Sequence, residues 1–182
     1  MKLLHLYIAS LLLLAAQVAI AATFENDVVS IEVPNGFQGP VSEPSGAEAV
    51  VIGFKKSHPN GSTNTLLQIT VYNFGAHMPA IPKARLGEAA DNYLAQFLKG
   101  VERRRTSFSA TASTRISLGG LPAARVSWSG ITEGRAMRGV MYCSIVGSKV
   151  ISFHTQDFKD APPANLQQAV TAIESVRFKR GG

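Results

Sequence analysis

The chain has 182 residues, 46% hydrophobic and 16% charged, a balance that suits one compact globular domain and excludes a disordered or repeat-built chain. Its formal charge of +6 favours anionic partners and says nothing of the fold. Cys143 is the single cysteine, so no intramolecular disulfide can form and the fold must rest on its core.

The N-terminus carries the most specific signal. Lys2 precedes a long apolar run from Leu3, and Ala19-Ile20-Ala21 gives the small-x-small pattern of a secretory cleavage site. Residues 1–21 are therefore expected to be a cleaved signal peptide. Cleavage leaves 22–182 as a single domain of 161 residues (182 less 21), with a charge of +5 after the loss of Lys2. The apolar run nearly reaches the roughly 20 residues of a spanning helix. No Lys/Arg stop-transfer cluster follows it, however, and Thr23 to Pro34 reads as a strand. The expected address is the periplasm or the exterior, with no transmembrane segment after cleavage. No cysteine near Ala21 offers a lipid anchor.

Alternation of Val29, Ile31 and Val33 marks a strand stopped by Pro34-Asn35-Gly36. "AVVIGFKKS" places Val50, Ile52 and Phe54 on one face, and "TLLQITVYNF" follows across Asn60-Gly61, a hairpin signal. After the Pro-marked loop "HMPAIPKAR" the period changes. Leu86, Ala89, Ala90, Tyr93, Leu94, Phe97, Leu98 and Val101 recur at three- and four-residue steps, an amphipathic helix lying on a sheet. Its acids come early and its cations late, as the helix dipole favours, and Gly100 is a candidate C-cap. "KGVERRR" is thus the last turn or the exit of this helix.

Four strands are expected next: "FSATASTRIS", "LPAARVSWSGI", "RAMRGVMYCSIV" and "KVISFHTQD". Gly119-Gly120, Glu133-Gly134 and Gly147-Ser148 are short enough to join them as an antiparallel meander. Met137, Met141, Cys143 and Ile145 share one face, which makes Cys143 a buried small hydrophobe. "APPANLQQAVTAIESVRF" closes the chain as a second helix, with Leu166, Ala169, Val170 and Ile173 on one stripe. Two helices and about seven strands make a single α+β domain.

This order resembles the PsbP-like superfamily, which also holds the Ran-binding Mog proteins and the DcrB-like periplasmic proteins. The likeness spans Thr23 to Phe178. It is carried by "TFENDVVSIEVPNGF", the helix from Leu86 to Val101, "ISLGGLPAARVSW", and "VISFHTQD" leading to "AIESVRF". The resemblance implies an α/β/α sandwich with a mainly antiparallel central sheet and two main helices, in proteins that mostly act as accessory or binding subunits without catalysis. The chain departs from the family in having Phe37 where a typical member has Trp, and in lacking the lipid-attachment cysteine of the DcrB type.

The residues supply no recognised catalytic constellation. Neither "SWSG" nor "GSTN" is a nucleophile elbow, and no phosphate-cradling glycine loop is present. The acids are scattered, without the paired carboxylates of glycoside chemistry. His58, His77 and His154 lack short ligand spacings, so no metal and no cofactor are expected. A hydrolase or metal enzyme would require His154 and Asp157 to meet His77. Nucleic acid is excluded as a partner by the few aromatics and by Trp128 alternating with Val126 and Ala124 on a core face.

A non-enzymatic exported accessory protein is therefore the leading expectation. It would dock an acidic protein partner or an anionic envelope component through Arg103, Arg104 and Arg105, joined by Arg135 and Arg138. The alternative is a small-ligand module with a pocket between helix and sheet near Tyr93, Trp128 and Tyr142.

Overall fold

The computed structural model describes residues 22–179 except 47, 60 and 62. Strands β1 (Ala22–Glu25) and β2 (Val29–Val33) form a hairpin, where the sequence reads as one strand from Thr23 to Pro34. Asn26 makes the break: its side-chain oxygen accepts from the Val28 and Val29 N–H groups at 2.8 and 2.9 Å, the turn chemistry typical of Asn. Next come β3 (Gln38–Pro44), β4 (Ala49–Ser57), β5 (Asn64–Asn73), α1 (Leu86–Glu102), β6 (Thr106–Ala110) and β7 (Thr114–Leu118). The chain ends with β8 (Leu121–Thr132), β9 (Arg135–Val146), β10 (Lys149–Phe158), α2 (Pro163–Glu174) and β11 (Arg177–Phe178).

An eight-stranded antiparallel sheet runs in the order β3-β4-β5-β10-β9-β8-β6, with β7 also paired to β8. β1, β2 and β11 make a second, three-stranded sheet. The meander of β8, β9 and β10 turns at Glu133-Gly134 and Gly147-Ser148. Glu133 (φ 50°) and Gly134 (φ 76°) are both left-handed, the pairing a tight type I′ hairpin demands. β4 and β5 form the expected hairpin with Gly61 at φ 67°, while Asn60 lies outside the described residues.

Two apolar layers flank the large sheet. On one face β2, α2 and the Ile52, Leu67, Ile69, Tyr142 and Phe153 side chains form one core. On the other, Ala90, Leu94 and Val101 of α1 meet Ala124, Val126, Trp128, Met141 and Cys143. The central strands are therefore buried on both faces, and β9 loses the clean alternation of a half-exposed strand. This is the α+β domain expected from the pattern, in the sandwich arrangement that the resemblance implies. α1 does not stop at Gly100: that glycine lacks the left-handed φ of a C-cap, and the helix continues to Glu102 with Val101 buried against the sheet.

Candidate functional site: a groove between helix and sheet

The five arginines named from the sequence separate. Lys99 to Glu102 complete α1, and Arg103 and Arg104 follow it, both exposed. Arg105 folds back under the helix. Its Nη1 donates to the Val101 carbonyl at 2.7 Å, its Nη2 donates to Gln156 Oε1, and its guanidinium carbon lies 4.1 Å from the Trp128 ring centroid. Arg135 stacks 3.8 Å over Phe158 and donates to both oxygens of Asp160 at 3.0 and 3.2 Å. Arg138 shares a strand face with Val140 and Tyr142, so the sheet separates it from the others. Arg103 and Arg104 have no carboxylate partner among the described residues, whereas Arg85, Arg115 and Arg135 are each ion-paired.

Tyr93, Trp128 and Tyr142 do not line one pocket either. Trp128 belongs to the α1 core, but Tyr142 points to the α2 side, because an even position on β9 faces away from Met141 and Cys143. There its hydroxyl donates to Glu174 Oε1 at 3.0 Å and accepts from Arg125 Nε at 3.1 Å. Burial is the chief cause that pushes the phenol pKa up to about 12. Tyr93 lies beside Phe74, Phe97 and Met78 at the other end of the helix.

His154 and Asp157 are separated by the same rule. Three residues apart on one strand, they face opposite sides, and neither meets His77, which follows β5 in a short 3-10 turn. The convergence that a hydrolase or metal enzyme would require does not occur, and among the described residues no group of three or more His, Cys, Asp or Glu could hold a metal ion. Asp157, fully buried, instead accepts from three donors: Thr65 Oγ1 at 2.7 Å, the Phe158 N–H at 2.8 Å and His58 Nε2 at 3.1 Å. With its proton on Nε2, His58 accepts at Nδ1 from the Thr63 hydroxyl at 2.6 Å. The connectivity is hydroxyl–imidazole–carboxylate, yet Thr63 and His58 are themselves buried. The chain of bonds ties the β4–β5 hairpin to the end of β10. In the sequence His58 stands isolated, because its partner lies 99 positions further along the chain.

A groove opens where α1 stops covering the sheet. The helix packs on β8 and β9 and reaches β10 only at its margin, leaving the same face of β5 and β4 without a helix. The opening has a volume of about 570 Å³. Its floor is Gln68, Thr70 and Tyr72 of β5 beside Ser152, His154 and Gln156 of β10. These pair across the ladder as Thr70 with Ser152 and Gln68 with His154. One wall is Gln96, Phe97, Gly100 and Val101 of α1, closed by Arg104 and Arg105. Phe97 stacks on Tyr72 with centroids 4.8 Å apart and an interplanar angle of 10°.

His154 is 9% exposed, and its Nε2 has no hydrogen-bond partner among the described residues. Burial, reinforced by the Arg105 charge, pushes its pKa down to about 3, so the ring is neutral at physiological pH. Trp128 stands 5.6 Å from it and Gly139 makes room for the indole, since a β-carbon at that position would lie 2.5 Å from the Trp128 ring.

No family model matches the sequence, and no curated protein matches it. Solved structures do. LpqN of Mycobacterium tuberculosis, described as involved in cell envelope biogenesis, aligns with a TM-score of 0.56 at 15% identity, over 87% of this chain and 85% of its own. Cyanobacterial PsbP (CyanoP) from Synechocystis sp. PCC 6803 aligns with a TM-score of 0.61 at 10% identity, over 91% and 96%. At such identities the likeness is one of fold. The chain thus has the PsbP-like fold that its strand and helix order resembles.

Proposed function

We infer that the protein is a non-enzymatic exported accessory protein that docks an acidic protein partner through the end of α1. The observation that carries this reading is the contrast among its arginines. Arg103 and Arg104 are exposed at the helix exit and have no carboxylate partner among the described residues, while Arg85, Arg115 and Arg135 are each ion-paired with an acid. Rim charges of this kind steer encounter and set salt dependence. Export rests on the signal-like segment 1–21, which lies outside the described residues; no described helix is long and apolar enough to cross a membrane. The likeness to an envelope-biogenesis protein agrees with an envelope role.

The test is affinity capture from envelope extract with the 22–182 protein, wild type beside Arg103→Ser/Arg104→Ser, and the retained protein identified by mass spectrometry. Arg105 is left intact because it holds Trp128, Val101 and Gln156 together. An acidic protein retained at low salt by wild type, released at high salt and lost in the double variant is the expected result. Equal capture by both forms overturns the reading.

A further inference from the structure

The groove beside α1 carries the charges of Arg104 and Arg105 with no carboxylate among its described lining residues, and its floor presents hydroxyl donors. The Thr70 oxygen accepts from Gln68 Nε2 at 3.0 Å, and its hydroxyl proton has no acceptor among the described residues. The Ser152 hydroxyl, next to it across the ladder, has no hydrogen-bond partner among the described residues. Among the described residues the Arg104 guanidinium at the mouth has no hydrogen-bond or ion-pair partner, and the buried His154 Nε2 in the floor has none either. No Asp or Glu is among the described residues that line the opening. Its complement is an anion that accepts several hydrogen bonds at once. The other end is apolar and aromatic, formed by the stacked Tyr72 and Phe97. A volume of about 570 Å³ falls within the usual range of small-molecule sites.

We propose that this groove binds a small organic carboxylate, its anionic end at Arg104, Thr70 and Ser152 and its apolar body against Tyr72 and Phe97. The ligand class follows from the donor set, the missing carboxylates and the aromatic end together. The site is separate from protein docking at Arg103, though Arg104 serves both.

The probe is 4-phenylbutyrate, with 4-phenylbutylamine and a tetraglutamate peptide as the comparison arms. Binding is read by amide NMR shifts on the 22–182 protein, and the indole N–H of Trp128, the single tryptophan, is a second reporter. Saturable shifts confined to β5, β10, the C-terminal end of α1 with Arg104, and the Trp128 indole are expected with the butyrate and not with the amine. Arg104→Ser should weaken binding about tenfold, as should Thr70→Val with Ser152→Ala. Arg103→Ser should leave it unchanged, which separates failure of this site from failure of docking: Arg103→Ser/Arg104→Ser tests capture, and Thr70→Val/Ser152→Ala leaves capture intact. Equal binding of amine and carboxylate, shifts elsewhere, or no saturable shift up to the solubility limit would overturn the proposal. Binding of tetraglutamate alone would overturn it too, returning the groove to the protein partner.

Discussion

Replacing Asp157 by Ala probes the interior bond chain most directly. The carboxylate accepts from Thr65, His58 and the Phe158 N–H, and both side-chain donors are buried. Truncation leaves these donors facing an apolar gap. Each orphaned buried group costs about 1–3 kcal/mol, and removing one partner of a buried ionisable pair about 3–5 kcal/mol in all. Taking ~4 kcal/mol, and 2–4 °C per kcal/mol for a domain of this size, the midpoint should fall by about 8–16 °C. Asp157→Asn keeps the shape and one acceptor oxygen, so it should lose about half as much. Thr63→Val removes only the donor to His58 Nδ1 and should cost about 1 kcal/mol. Thermal unfolding by circular dichroism measures the series. A midpoint within about 3 °C of wild type for Asp157→Ala, or no difference between the Ala and Asn variants, would refute the argument that these bonds hold the hairpin to β10.

Other outcomes are equally concrete. Gly139→Ala should destabilise by about 1–3 kcal/mol and shift Trp128 emission, because the new methyl collides with the indole and with the Thr155 carbonyl; an unchanged spectrum and midpoint would contradict that packing. The folded His154 pKa lies below its ordinary 6.5, so the unfolded chain binds the extra proton. This group's stability is therefore complete above about pH 6.5 and lost as pH falls towards 3, at up to about 1.4 kcal/mol per pH unit. His154→Gln should flatten that part of the acid-stability curve measured against wild type, and parallel curves would discount it. Cys143 is fully buried, and burial raises its thiol pKa, so a thiol reagent should label it only on denaturation; rapid labelling of the native protein would place it elsewhere.

The sheet's centre and α1 were legible because their signals are local. Two-residue Gly turns fixed the pairing of β8, β9 and β10, and three-four spacing fixed the buried stripe of α1. β3 escaped because "QGPVSEP" holds two prolines and all seven of its residues are exposed, leaving no alternation to read. "FSATASTRIS" reads as one strand but divides into β6 and β7, each paired separately with β8. The site was hardest. Which face a residue takes follows from parity, and parity would have parted His154 from Asp157 and Trp128 from Tyr142 before any coordinates. What parity could not supply is how far α1 extends across the sheet, and that uncovered margin makes the groove.

The outermost strands bear on how such a sheet stays soluble. β9 is apolar on both faces, and an open edge beside strands of this kind is a template for pairing between chains. At one margin Pro40 and Pro44 remove two N–H donors from β3, and the register shifts between Gln38 and Val41. At the other, β6 and β7 share the flank of β8 in two short pieces, the first broken by a shift between Thr106 and Ser109. A strand arriving from another molecule meets an interrupted row of hydrogen-bonding groups on either side. Local irregularity at the rim thereby limits growth of the sheet beyond one chain while its interior stays regular.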